Sequence, residues 1–283
     1  MSTSIALVNG VETDLISIGD RAFNYGHGLF ETIRLENGRA PLWSWHQDRL
    51  CRDAPIIGVK VREGLLGQYQ EQALALFPDR GVLKFIVTPG PGGGGYRDVT
   101  GAGDSTTYCV QYRELPESRT NICVQVSDYR LPHNPILAGV KHLNRLDQVM
   151  AARDLSAECD GLLLDSEGVV VEALSSNLFC RIGGQWLTPD LSLCGVRGVM
   201  REYLRVKVFP ALGLNVVESR FQIDELLGAE AVFLCNAVRG IEPVSTLLGS
   251  ALARVHWRSN EIVDDICREL IRQQPCFLQA ALV

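Results

Sequence analysis

The sequence is poor in lysine. Of 27 lysines and arginines in 283 residues, only Lys60, Lys84, Lys141 and Lys207 are lysines. Chemistry that needs a side-chain amine therefore has four candidates. No stretch of about 18 apolar residues occurs, so no membrane-spanning helix is expected. The opening MSTSIALVNGVETD lacks the basic start and apolar run of a secretory signal. There is no basic run or stripe, and the net charge is -6, so nucleic acid is not an expected partner. A small anionic ligand would have to be held by local arginines or helix ends, against the overall field. No CxxC occurs. Nine cysteines stand singly, at 51, 109, 123, 159, 180, 194, 235, 267 and 276, and the five histidines show no HxH or HxxxH spacing. A zinc site is not expected from that pattern. The odd, scattered cysteines are expected as reduced thiols of a cytoplasmic protein.

What is present suits one large or two medium domains with real cores. SIALVNG reads as a strand entering an Asn-Gly turn. A second strand is expected at Leu29 to Leu35, then a turn at Asn37-Gly38. Helices are expected at Trp45 to Arg52 and Glu63 to Leu76. The strand Val82 to Thr88 runs into the glycine-rich PGPGGGGYRD, and Tyr108 to Tyr112 is another strand. The polar ELPESRTN suggests a linker, giving an N-terminal α/β domain over 1–115, a linker over 116–121 and a C-terminal domain over 122–283. The second half opens with the strand Ile122 to Ser127. In HLNRLDQVMAARDL, Leu143, Leu146, Val149 and Met150 fall at helical spacing, which predicts an amphipathic helix. Hairpins are expected around Ser166-Glu167-Gly168 and Gly183-Gly184. A helix at Gly198 to Val208, a buried strand at Ala231 to Cys235 and a C-terminal helix at Arg258 to Gln273 complete an α/β (α+β) chain.

Gly90, Gly92 and Gly95 spell GxGxxG after a strand. The dinucleotide fingerprint needs a helix next, so that its N-terminus meets the pyrophosphate. Turn residues and a strand follow here, so a long loop at an active site is the better reading. Lys141, in AGVKHLNRLDQV, lies just before a helical segment. Alone it reads as an exposed lysine, although a helix start disfavours a cation. Its rival is Lys84, inside the apolar strand GVLKFIVT. Glu172 ends the apolar run GVVVEA: it either faces water or, buried, pairs with a cation such as a protonated pyridine nitrogen. Arg49, in WSWHQDRL, is either a solvated helix residue or a clamp for phosphate or carboxylate. CGVRGVMRE, around Val196 and Arg197, reads as a loop entering a helix, where backbone N–H groups can meet an anion.

Taken together these pieces resemble the fold-type IV pyridoxal-phosphate (PLP) enzymes: branched-chain aminotransferases, D-amino-acid aminotransferases and aminodeoxychorismate lyases. The matching segments are DRAFNYGHGLFETIR, HQDRL, KHLNRLDQV, GLLLDSEGVVVEALSSNLF, CGVRGVMRE and AVFLCNAVRGIEPV. They run from Ile16 to Val244 in the family's order. The resemblance implies two α/β domains with the cofactor in the cleft between them, usually in a homodimer acting on a small molecule. It implies Lys141 as the residue bound to PLP and moving the substrate proton. Glu172 would keep the pyridine nitrogen protonated. Arg49 would bind the phosphate, joined by backbone amides of Val196 and Arg197 and by Asn236-Ala237. Tyr25 would lie on the substrate side of the ring, with His27 and Arg97 as further substrate residues. KHLNRLDQV and FLCNAVRGIEPV resemble the lyase branch. Relatives often carry an acid where His27 stands, and the lyases carry loop arginines where Pro89 and Gly94 stand, leaving Arg97 as the nearby arginine. An aminotransferase, or a relative that binds the cofactor without catalysis, is the competing reading.

Overall fold

A computed structural model describes residues 6–92, 95–97, 105–117, 119, 122–248, 254–257 and 261–278. The chain is a mixed α/β protein in two compact units, Met1–Pro116 with Val140–Asn144, and Glu117–Gly139 with Arg145–Val283. Within the expected linker, residues 118, 120 and 121 lie outside the described residues, as do Gly94, most of the glycine-rich loop beyond Arg97 and the last five residues.

The first unit is built on five antiparallel strands: β1 (Ala6–Val8), β2 (Val11–Glu12), β3 (Leu29–Leu35), β4 (Gly81–Thr88) and β5 (Thr107–Arg113), in the order β2-β1-β5-β4-β3. Asn9 and Gly10 both take positive φ, 51° and 80°, which is what a two-residue hairpin turn requires. Strand β3 alternates strictly, burying Leu29, Glu31, Ile33 and Leu35 on one face. The helices Trp43–Asp53 and Glu63–Leu76 contribute Leu50, Leu66 and Ala73 to the core shared with that face. Each fully buried leucine adds roughly 1.5–3 kcal/mol. As the last strand of its sheet, β3 has an open edge. Residues 140–143 cover its start: Phe30 N–H donates to the Lys141 carbonyl (3.1 Å) and Leu143 N–H to the Gly28 carbonyl (2.9 Å).

The second unit holds β6 (Ile122–Leu131), β7 (Cys159–Asp165), β8 (Val170–Ala173), β9 (Asn177–Ile182), β10 (Gln185–Pro189), β11 (Val216–Ser219), β12 (Ala231–Asn236), β13 (Gly240–Leu248) and β14 (Arg254–His256). The order is β11-β10-β9-β12-β13-β6-β7-β8, with β14 paired to β13. Parallel pairs, β6 with β7 and with β13 and β10 with β11, sit among antiparallel ones. Phe179, Phe209 and Phe233 stack in this core, with Trp186 against Phe209 and Phe233.

Two expectations are corrected. The helix read across HLNRLDQVMAARDL is confined to Leu146–Ala151, and its Leu146, Val149 and Met150 are exposed rather than core. Leu143 cannot join it, because its N–H is held in an extended pairing by Gly28. The reading of nine reduced thiols fails for one pair. Cys123 and Cys159 are register partners on parallel strands β6 and β7 and form a disulfide, with Cα atoms 4.6 Å apart. Strand pairing brings them together across a separation of 36 residues, which no local spacing reveals.

Candidate active site

In the first unit, Lys141 is half-buried in the extended segment laid against β3. Its ammonium lies 4.3 Å from the centroid of the Phe30 ring, and the rival Lys84 lies 5.2 Å from the same ring. Burial, helped by Arg113, pushes the Lys84 ammonium below its ordinary value. Two of the four lysines thus lie against one aromatic ring.

Beneath this segment is a network that the sequence did not reveal. Glu31 stands on the buried face of β3, where a carboxylate needs partners. His46 and Arg49, one turn apart on the helix Trp43–Asp53, provide them. The His46 Nδ1–H donates to Glu31 Oε2 at 2.6 Å, Arg49 Nε donates to Oε1 at 2.7 Å, and Arg49 Nη2 donates to Oε2. Burial alone would raise the Glu31 carboxyl, but Arg49 and His46 outweigh it and hold it at about 2. Burial lowers His46 despite Glu31, and the charges of Arg49 and Lys141 add to that lowering. The buried Nε2 of His46 has no hydrogen-bond partner among the described residues.

Two of the expected substrate residues, Tyr25 and His27, meet Arg21, which follows the N-cap Asp20 of the short helix Arg21–Tyr25. Arg21 is 4% exposed. Its Nε donates to His27 Nδ1 (3.1 Å), Nη1 to the Gly95 carbonyl (3.1 Å) and Nη2 to the Tyr96 carbonyl (3.0 Å). The guanidinium carbon is 5.0 Å from the Tyr25 ring centroid. Tyr25 accepts the Gly95 N–H at its hydroxyl (3.1 Å) and packs against Tyr96. Arg97 follows, exposed. Arg21 was not singled out from sequence, because its importance lies in partners more than 70 residues away.

In the second unit, Glu172 on β8 is 4% exposed, so the water-facing reading is set aside. Its Oε2 accepts the Val196 N–H at 2.8 Å. Arg197 N–H donates to the Gly139 carbonyl at 3.0 Å. The expected anion cup of free Val196 and Arg197 amides is therefore corrected: tertiary acceptors already take both N–H groups. Asn177 fixes the same loop, donating to the Val196 carbonyl (2.8 Å) and accepting the Gly198 N–H (3.1 Å). The glycines are required there. A Cβ on Gly195, at φ 85°, would lie 2.7 Å from Val171, and one on Gly198 would lie 2.0 Å from Asn177 Oδ1. Asn236 accepts the N–H groups of Val238 and Arg239 (2.9 and 2.8 Å) and donates to Ser176 Oγ (3.0 Å), shaping the turn that carries Ala237. Glu172 also acts on Arg145, whose guanidinium burial lowers while Glu172 and Asp147 oppose the shift. Elsewhere His133, Asp165 and Glu167 cluster, but Arg220 bridges both carboxylates, which makes the group an ion-pair network.

Residues 28–247 match the amino-transferase class IV family. The sequence is 30% identical to an aminodeoxychorismate lyase of Vibrio harveyi, over 84% of this chain and 89% of that one. It is 27% identical to a putative branched-chain-amino-acid aminotransferase of Methanocaldococcus jannaschii, over 90% and 88%. The fold superposes on the crystal structure of 4-amino-4-deoxychorismate lyase from Pseudomonas aeruginosa with a TM-score of 0.88, at 32% identity, covering 95% of this chain and 99% of that one.

Proposed function

Because this chain belongs to the amino-transferase class IV family, we propose that it is a PLP-dependent lyase converting 4-amino-4-deoxychorismate to 4-aminobenzoate and pyruvate, a step toward folate. The observation that carries this reading is the near-full-length similarity, at 30% and 32% identity, to two proteins described as that lyase.

The side chains suit the cofactor. An amine, a buried arginine and a buried carboxylate match its aldehyde, phosphate and ring nitrogen. The Nε2 of His46 is a buried polar atom for which the described residues offer no partner. When bound, PLP supplies an electron sink. Lys141 would hold the aldehyde carbon through Nζ until the substrate amine displaces it, and the freed Nζ would then take the proton from the substrate carbon that bears the amino group. Glu172 would hold a proton on the ring nitrogen, and the N–H bond from Val196 keeps its carboxylate aimed. Arg49 would bind the phosphate, and Glu31 fixes the plane of its guanidinium. Asn236-Ala237 would add a phosphate contact. Tyr25, His27 and Arg97 face the substrate. Loss of the substrate proton and of the enolpyruvyl group leaves an aromatic ring, which drives the reaction.

The reading includes a homodimer, for which the exposed Leu15, Ile18 and Phe23 offer apolar surface, and sedimentation of the purified protein tests it. It includes a cytoplasmic location. No helix among the described residues is long and apolar enough to cross a membrane. The function is tested by giving PLP-loaded protein fresh aminodeoxychorismate. Formation of both 4-aminobenzoate and pyruvate, lost in Lys141→Ala, is the expected result. Amino transfer from D-alanine or leucine to a keto acid, without those products, would replace it with the aminotransferase reading that the Methanocaldococcus relative favours.

A further inference from the structure

Resting on the lyase reading, we propose that Arg21 is the cation that selects a carboxylate-bearing substrate, and that His27 serves this selection by leaving the charge of Arg21 uncancelled. Arg21 is buried, and its three bonded nitrogens meet one imidazole and two carbonyls. These acceptors satisfy its hydrogen bonds but carry no negative charge. Among the described residues no carboxylate pairs with it. The adjacent Asp20 is turned to other donors: Oδ1 accepts the Ala22 N–H (2.8 Å) and Oδ2 the Thr88 hydroxyl (3.0 Å). Buried charges are ordinarily paired, so an uncancelled guanidinium is a place where an anion gains.

The state of His27 follows from its two partners. Nε2 lies 2.6 Å from the Ile57 carbonyl, which can only accept, so Nε2 carries a hydrogen. Nδ1 receives the Arg21 Nε–H, so it carries a lone pair. The ring is neutral and its tautomer is fixed from both sides. An aspartate at this position would accept the same bond and cancel the charge. The guanidinium lies under Gly95 and Tyr96, and Tyr96 is 89% exposed, with Arg97 beside it. Positive charge therefore sits behind a segment open to solvent. The loop arginines of the lyases are absent at Pro89 and Gly94, and an acid is absent at His27. A cation in the floor of the loop replaces cations on the loop.

The isosteric pair His27→Asp and His27→Asn separates charge from structure. Both shapes can accept from Arg21, and only the first cancels it. The holoenzymes are titrated calorimetrically with 4-aminobenzoate and with aniline, which lacks the carboxylate, and thermal melts check folding. The expected result is that His27→Asp binds 4-aminobenzoate about tenfold more weakly and raises the aminodeoxychorismate KM by a similar factor. In the same experiment kcat should fall less than KM rises, His27→Asn should lose several-fold less 4-aminobenzoate affinity than His27→Asp, and aniline binding should differ little between the two variants. Equal effects of the two substitutions, or a parent enzyme that does not prefer 4-aminobenzoate to aniline, would overturn the assignment. If the charge pattern appears in binding but no pyruvate forms from aminodeoxychorismate, the lyase reading falls and the assignment of Arg21 stands.

Discussion

The ammonium of Lys141 stands 4.3 Å from the centre of the Phe30 ring, on the segment that covers the edge of β3. A cation over an aromatic face is attracted by the ring quadrupole, so Phe30 helps to fix where the amine sits.

Borohydride reduction of the PLP-loaded protein should fix the cofactor on the peptide containing Lys141. Lys84 faces the same ring and is the control. Peptide mass mapping should find the label on Lys141 in the parent and in Lys84→Arg, and none in Lys141→Ala. A label on Lys84 in the parent would remove Lys141 from its role.

Glu31→Gln should destabilise the first unit by roughly 3–5 kcal/mol, the usual cost of removing one partner from a buried ion pair. The pH dependence has a definite sign. The folded-state value of Glu31 is depressed, from 4.5 to about 2, so its contribution is present above the unfolded value and is lost as pH falls through the folded one. Melting temperatures between pH 6 and pH 2 should therefore fall more steeply in the parent than in Glu31→Gln. Parallel curves would show that the carboxylate contributes little.

Asn177→Ala should leave the Val196 carbonyl and the Gly198 N–H without their partner and loosen the loop next to Glu172. A stability loss of roughly 1–3 kcal/mol is expected. A weaker PLP complex, by about tenfold if the loop energy passes to the cofactor, should be visible in a spectrophotometric titration. Gly198→Ala should do the same, because its new methyl group would occupy the position of the Asn177 oxygen. Unchanged PLP affinity in both variants would separate this loop from the cofactor.

The Cys123–Cys159 bond closes a loop across 36 residues, and breaking it should cost roughly 2–4 kcal/mol. Dithiothreitol should lower the melting temperature of the parent by several degrees and leave Cys123→Ser unchanged. An intact mass showing two free thiols before reduction would mean that the pair is not oxidised in solution.

Much of the fold was legible because local chemistry agreed with it. The helix Glu63–Leu76 buries Leu66, Tyr69 and Ala73 at helical spacing, and the hairpin turns carry Gly168, Gly183 and Gly184 at positive φ. Strand β13 was not legible, since Pro243 and Glu242 interrupt its apolar pattern and the burial of Glu242 depends on Arg119 from far along the chain. The same limit applied to the site. Lys141, Arg49 and Glu172 stood out through the order of motifs. Glu31, His46, Asn177 and Arg21 did not, because each draws its role from a partner that only tertiary structure provides. Val149 and Met150 showed the opposite failure: a correct period with no core behind it.

The placement of Lys141 is inherited from backbone pairing. Phe30 and Gly28 hold residues 141 and 143 by their peptide groups, and side chains alternate from that register. Exchanging the side chain of His142 or Leu143 should thus leave the amine on the Phe30 face. A single-codon insertion or deletion between Gly139 and Asn144 would turn it to the opposite side of the segment, so this short stretch should tolerate drift in composition while its length stays fixed.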